Sequence, residues 1–259
     1  MKIFFIIGAL VCIILVGCSG TRQAVGIEKT TTASTEKEMR TDSDGEHEEV
    51  NVSMVTLKTE DGIMLKGTFY QGNTNGKGII LLHMLGRTRR DWDAFASRLQ
   101  RKEGYSVISI DSRGHGESGG ERNLGADFNK MALDVKAAKQ FLADKGISTV
   151  GIAGASIGAN TALNYAASDP SVKSIVLMSP GLDYRGVQTE QSSKKYGGNV
   201  LVIASREDSY AADSSQALYG NIPGKKQIKI YQELGHGTVM LSSEEVQSMV
   251  FDWLRETVK

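Results

Sequence analysis

Residues 149–163 read TVGIAGASIGANTAL, and the stretch changes character at its middle. Thr149–Ala153 is a short run of mostly small and β-branched residues, the composition of a strand buried on both faces. From Ala159 to Ala167 the apolar side chains fall at helical spacing instead. The joint is Gly154-Ala155-Ser156-Ile157-Gly158, a G-x-S-x-G sequence at a strand-to-helix turn. A serine in that place stands on a sharp turn, with glycines where the turn packs against neighbouring backbone. Its hydroxyl projects from the carboxyl edge of the sheet, and the helix N-terminus lies under any negative charge that develops there. Without a strand before it and a helix after it, the same pentapeptide would be only a glycine-rich turn.

The alternation continues in both directions. Upstream, the segments 55–59 and 64–70 alternate apolar and polar residues around Asp61-Gly62, which predicts a hairpin. Apolar runs at 78–84, 105–111, 172–178, 200–204 and 227–231 join 149–153 as buried strands. Helical spacing covers 91–101, 128–143, 159–167, 211–219 and 244–257. In the last of these Val246, Met249, Val250, Trp253 and Leu254 form one apolar stripe. Strand and helix in turn predict an α/β domain: a mostly parallel eight-stranded sheet flanked by helices. No internal repeat or second domain is evident.

A serine hydroxyl is a weak nucleophile at neutral pH and needs a base. Of the histidines His47, His83, His115 and His236, only His236 follows the serine, in Leu234-Gly235-His236-Gly237 just after the last strand. The order serine, acid, histidine is the one that accompanies this elbow. The acid should fix the tautomer of His236 and stabilise its imidazolium. Asp208, after the 200–204 strand, stands at the expected loop; Glu207 beside it and Asp183 after the preceding strand compete for the role. Two backbone N–H groups should receive the oxyanion. Ile157, directly after the serine, supplies one. The other is expected from the loop His83-Met84-Leu85-Gly86, from Leu85 first and Met84 second.

Together these residues resemble the α/β-hydrolase superfamily over about residues 52–259. The resemblance rests on the elbow, on the HMLGR loop at 83–87, and on Asp111-Ser112-Arg113-Gly114-His115-Gly116-Glu117-Ser118. That last string is similar to a D-x-R-G-x-G-x-S turn common in the superfamily, which implies a structural role for His115. Many relatives carry glycine after the loop histidine where this chain has Met84, which bears on the acyl pocket and the oxyanion donor. Relatives often place a helical cap between the strands at 172–178 and 200–204. Here residues 179–199 are short and polar, so a minimal cap is expected, with an open or shallow site edged by Met84, Leu85, Tyr184 and Tyr210.

The N-terminus is an address. Met1-Lys2 precedes an apolar run at 3–16, too short to span a bilayer, and then Gly17 and Cys18. Leu15-Val16-Gly17-Cys18 resembles a bacterial lipobox, which implies cleavage after residue 17 and acylation of Cys18. Residues 18–50, rich in Thr, Ser, Glu and Lys, cannot bury enough apolar surface to order themselves and predict a disordered tether. As a coil it would hold the domain roughly 30 Å from the membrane. The expected organisation is a signal peptide at 1–17, the tether at 18–50 and the hydrolase domain at 51–259. The location would be the cell envelope: the outer membrane where the organism has one, otherwise the outer face of the cytoplasmic membrane.

The 30 Lys and Arg residues balance 30 Asp and Glu, which argues against a nucleic-acid partner. Cys12 and Cys18 are the only cysteines, so the domain has no disulfide, cysteine metal site or cysteine nucleophile. No metal cluster or nucleotide loop is evident, so no cofactor is expected, and no obligatory protein partner. The expected activity is hydrolysis of a small-molecule ester through an acyl-enzyme on Ser156. A serine aminopeptidase, a thioesterase, a dienelactone-type hydrolase or an acyltransferase would share the triad. A non-catalytic binding lipoprotein would keep the fold without the chemistry.

Overall fold

The computed structural model describes residues 33–34, 51–73, 76–122 and 127–259. The lipobox, with Cys18, and the rest of the segment up to residue 50 other than Ala33–Ser34 lie outside the described residues. Within that segment only Ala33–Ser34 are placed, paired antiparallel with Val55 and Met54.

The sheet strands are β1 Val52–Lys58, β2 Met64–Tyr70, β3 Lys77–Leu82, β4 Ser106–Ile110, β5 Thr149–Ala155, β6 Val172–Met178, β7 Asn199–Ser205 and β8 Lys226–Tyr231. Their order across the sheet is β1-β2-β4-β3-β5-β6-β7-β8, with Ala33–Ser34 outside β1. The β1–β2 hairpin is antiparallel, and β2 pairs antiparallel with β4. From β4 to β8 every pairing is parallel. The helices are α1 Asp93–Glu103, α2 Met131–Asp144, α3 Ile157–Ser168, the short α4 Glu190–Lys195, α5 Ser209–Asn221 and α6 Glu244–Thr257.

The unbroken apolar runs of the sequence follow from burial on both faces. Successive side chains of a strand point to opposite sides. In β3, Ile80 and Leu82 enter the layer built with Val135 and Leu142 of α2, Leu163 of α3 and Leu218 of α5. Ile79 and Leu81 enter the opposite layer, with Phe95 and Leu99 of α1 and Val250, Trp253 and Leu254 of α6. A parallel sheet covered in this way presents all of its functional loops along one edge, where the strands end.

Residues 179–199 hold no multi-helix cap. They form a two-stranded ribbon, Asp183–Tyr184 against Val187–Gln188, followed by α4. The ribbon is tied down by side chains from its neighbours. Asn160 of α3 donates to the Val187 carbonyl at 2.7 Å and accepts from the Gly181 N–H at 2.9 Å. The Ser214 hydroxyl of α5 accepts from the Leu182 N–H at 3.1 Å.

Candidate active site

Ser156 ends β5 and begins the turn into α3 with φ 55° and ψ −122°, a conformation that non-glycine residues rarely adopt. The flanking glycines show why the turn closes so tightly. A Cβ on Gly154 would lie 2.2 Å from the Gly158 carbonyl oxygen, and one on Gly158 would lie 2.6 Å from that of Leu82. The head of α3 therefore presses against the exit of β3. The Ser156 N–H donates to the Met178 carbonyl at 2.9 Å, fixing the elbow to β6 as well. Ile157 opens the helix, so its N–H is one of the first-turn donors that lack an intrahelical acceptor.

His236 stands between two glycines with positive φ, Gly235 at 75° and Gly237 at 58°. A Cβ on Gly237 would strike the Met84 sulfur at 2.3 Å and approach the Ala155 side chain at 3.2 Å. The histidine loop thus packs directly on the residue before Ser156. The Gly237 N–H donates to the Ser179 hydroxyl at 2.9 Å, and Ser179 itself has φ 50°.

The three acidic candidates separate by their partners. The Asp208 carboxylate meets His236 Nδ1 in a short hydrogen bond, while its other oxygen caps α5. Glu207 accepts from the Gly235 N–H, holding the backbone of the histidine loop. Asp183 accepts from the Gly186 N–H at 2.7 Å and the Gln188 side chain at 3.2 Å, inside the ribbon. With Nδ1 donating to a carboxylate, Nε2 of His236 is the nitrogen left to exchange protons.

The loop after β3 has a defined peptide orientation. His83 is fully buried; its Nδ1–H donates to the Met84 carbonyl at 2.7 Å and its Nε2 accepts from the Ser112 N–H at 2.9 Å. The Arg87 N–H donates to the same Met84 carbonyl at 3.1 Å. In a trans peptide N–H and C=O point in opposite directions, so the Leu85 N–H faces away from His83. Burial pushes the His83 pKa down to about 4, with the Met84 carbonyl opposing the shift and His115 adding to it.

His115 lies in the turn after β4, its Nδ1 bonded to the Arg113 carbonyl at 2.9 Å. The turn is organised by Asp111, which accepts from the Arg89 N–H at 2.7 Å, from the Glu117 N–H at 2.9 Å and from the buried Arg89 guanidinium. Ser118 returns to the Asp111 carbonyl at 2.6 Å.

The expected rim holds in part. Leu85 and Tyr184 are half-buried and Tyr210 is exposed. Met84 is a correction: it is buried, with its side chain under Gly237, because the glycine leaves a space that only a neighbouring side chain can fill. Tyr184 is closer to the chemistry than a rim residue. Its ring stands edge-on to His236 at 6.2 Å and to Tyr210 at 5.5 Å, and its hydroxyl donates to the Ser179 carbonyl at 3.3 Å with the Ser156 side chain as a polar neighbour. Nothing in its sequence surroundings distinguishes it from a packing aromatic, and Ser179, which holds the histidine loop, carries no motif at all.

An eight-stranded sheet in this order, with a serine elbow after β5, an acid after β7 and a histidine after β8, is the α/β-hydrolase fold. Residues 74–190 match the family model Hydrolase_4, described as "Serine aminopeptidase, S33". Among curated proteins, the thiohydrolase aneE of Aspergillus aculeatus is 31% identical over 138 residues, covering 52% of this chain and 43% of that protein. The sn-1-specific diacylglycerol lipase ABHD11 of Xenopus tropicalis is 30% identical over 103 residues, covering 40% of this chain and 31% of that protein. The chain thus matches less than half the length of either relative. Among solved structures, the Pyrococcus furiosus esterase Pf2001 superposes with a TM-score of 0.69 at 23% identity, over 81% of this chain and 94% of that one.

Proposed function

We propose that this chain is a serine hydrolase that cleaves carboxylic esters through an acyl-enzyme on Ser156. One observation carries the proposal: the strained serine elbow and the Asp208–His236 pair share one rim of the sheet, bridged by a tyrosine adjacent to both. His236 takes the Ser156 proton as the hydroxyl oxygen attacks the carbonyl carbon. The oxyanion is received by the N–H of Ile157 and, from the loop after β3, that of Leu85, with Met84 the alternative donor. His236 then gives its proton to the leaving oxygen. A water attacks the acyl-enzyme by the same route and regenerates Ser156. Asp208 holds the imidazole with Nε2 toward the reacting atoms.

An ester is favoured over a peptide because an aminopeptidase needs a carboxylate to hold the substrate's amino group. Among the described acids near the rim, Asp208 is committed to His236, Glu207 to the Gly235 N–H, Asp183 to its own ribbon and Asp91 to Arg87 and Thr238. The short ribbon in place of a cap suits a small substrate that reaches the serine from solvent. We further propose that acylated Cys18 anchors the enzyme to a membrane of a bacterial envelope, the residues up to 50 acting as its tether.

Two measurements test the activity. Wild-type protein should hydrolyse a short-chain nitrophenyl ester and be labelled by a fluorophosphonate, and Ser156→Ala should reduce both to background. Turnover that survives unchanged in Ser156→Ala removes the proposal.

A further inference from the structure

Tyr184 is a polar group beside the proposed nucleophile that the mechanism above leaves without a role. The ribbon holds it rigidly. A Cβ on Gly181 would lie 2.7 Å from the Tyr184 ring, so the glycine backbone lies flat against it. Tyr210 packs on the ring, and its own hydroxyl both accepts from the Asp183 N–H and donates to the Asp183 carbonyl, each at 2.9 Å. The Tyr184 hydroxyl donates to the Ser179 carbonyl at 3.3 Å, a long bond that is readily exchanged. The Ser156 side chain is a polar neighbour of this hydroxyl.

Topology decides which part of a substrate this hydroxyl meets. β5, which carries Ser156, lies between β3 and β6. The oxyanion donors belong to the head of α3 and the β3 loop. Tyr184 comes from the β6 side, opposite the β3 loop. The leaving oxygen must sit beside His236 to receive its proton, and the Tyr184 ring stands against His236. The long bond to the Ser179 carbonyl is weak enough for the O–H to turn to a new acceptor beside His236.

We propose that Tyr184 is a further catalytic residue, its hydroxyl donating a hydrogen bond to the leaving-group oxygen as the tetrahedral intermediate collapses. This rests on the serine-hydrolase reading. His236 supplies the proton, the carbon–oxygen bond to the leaving group breaks, and Tyr184 keeps its own hydrogen throughout. Burial, with Asp208 and Tyr210 nearby, pushes the phenol above its ordinary range, so it stays a donor at working pH.

The test is the dependence of kcat/KM on leaving-group pKa, which reports the steps through acylation. A series of esters sharing one acyl group, from nitrophenyl to simple alkyl, would be run on the full-length wild type, Tyr184→Phe, Tyr210→Phe and Ser156→Ala. A hydrogen bond to the leaving oxygen matters most where that oxygen departs with most charge to stabilise. Tyr184→Phe should lower the alkyl-ester rate by about tenfold or more and leave the nitrophenyl ester nearly unchanged, steepening the plot. Tyr210→Phe loosens the same ribbon without touching the nucleophile and should keep the wild-type slope. A uniform fall across all esters in Tyr184→Phe, no fall at all, or an equal steepening in Tyr210→Phe overturns the assignment. Full turnover in Ser156→Ala would instead overturn the reading beneath it.

Discussion

Glu207 and Asp208 leave β7 side by side, yet their carboxylates go to different partners. Asp208 bonds the imidazole of His236, and Glu207 bonds the backbone one residue earlier. Their replacements should therefore differ in kind. Asp208→Asn keeps the shape but offers the imidazole no charge and can present the wrong tautomer, so kcat on a nitrophenyl ester should fall by about 10⁴. Glu207→Gln retains an acceptor for the Gly235 N–H and should cost about tenfold or less. Steady-state kinetics on the two variants decides it, and a larger loss for Glu207→Gln would reverse the assignment of the acid. The sequence left these two residues open, because Ser205-Arg206-Glu207-Asp208 says only that two acids follow a strand. Which one turns inward depends on the path of the facing loop, where Gly235 at φ 75° presents its N–H to Glu207.

At the scale of elements, the site is assembled from loops that bind one another as well as from the strands beneath them. His83 joins the exit of β3 to the turn after β4 by one bond to each; the bond from the Ser112 N–H requires Nε2 unprotonated, while the bond to the Met84 carbonyl keeps hydrogen on Nδ1. Burial holds its folded-state pKa near 4, whereas an unfolded histidine titrates near about 6.5. The unfolded chain therefore binds more protons between those values, and stability rises with pH across the window. The contribution is complete above the unfolded pKa and is lost as pH falls through 6.5 toward 4. Between pH 7 and pH 5 it amounts to about 2 kcal/mol. Urea unfolding at the two pH values should show that loss in the wild type and a smaller one in His83→Gln; equal losses would mean that His83 titrates alike in both states. Elements of this kind are only half legible in a sequence. The strands and long helices follow from periodicity to within a few residues, and the D-x-R-G-x-G-x-S turn follows from its motif. The 181–189 ribbon does not, because Asn160, Asn164 and Ser214 hold it by side-chain-to-backbone bonds from distant positions that leave no periodic trace.

For the whole molecule, the parallel sheet was legible because burial on both faces imposes unbroken apolar runs, and only a few strand orders connect such runs through helices. Among the described residues, the buried side chains of the two layers around the sheet fall between Val55 and Val258. The proposed anchor and the proposed active site can be tested apart from one another. If Cys18 carries the acyl chains, Cys18→Ser should leave kcat/KM on a soluble ester unchanged while moving the protein from the membrane pellet to the supernatant. The wild type should incorporate a clickable palmitate analogue in bacterial cells and the variant should not. More than one acyl chain is needed for stable attachment, so the shift should be nearly complete rather than partial. A variant that stays in the pellet without label would mean that the apolar run at 3–16 is retained as the anchor. Loss of ester hydrolysis in a soluble, folded Cys18→Ser protein would mean that the N-terminal segment takes part in the active site.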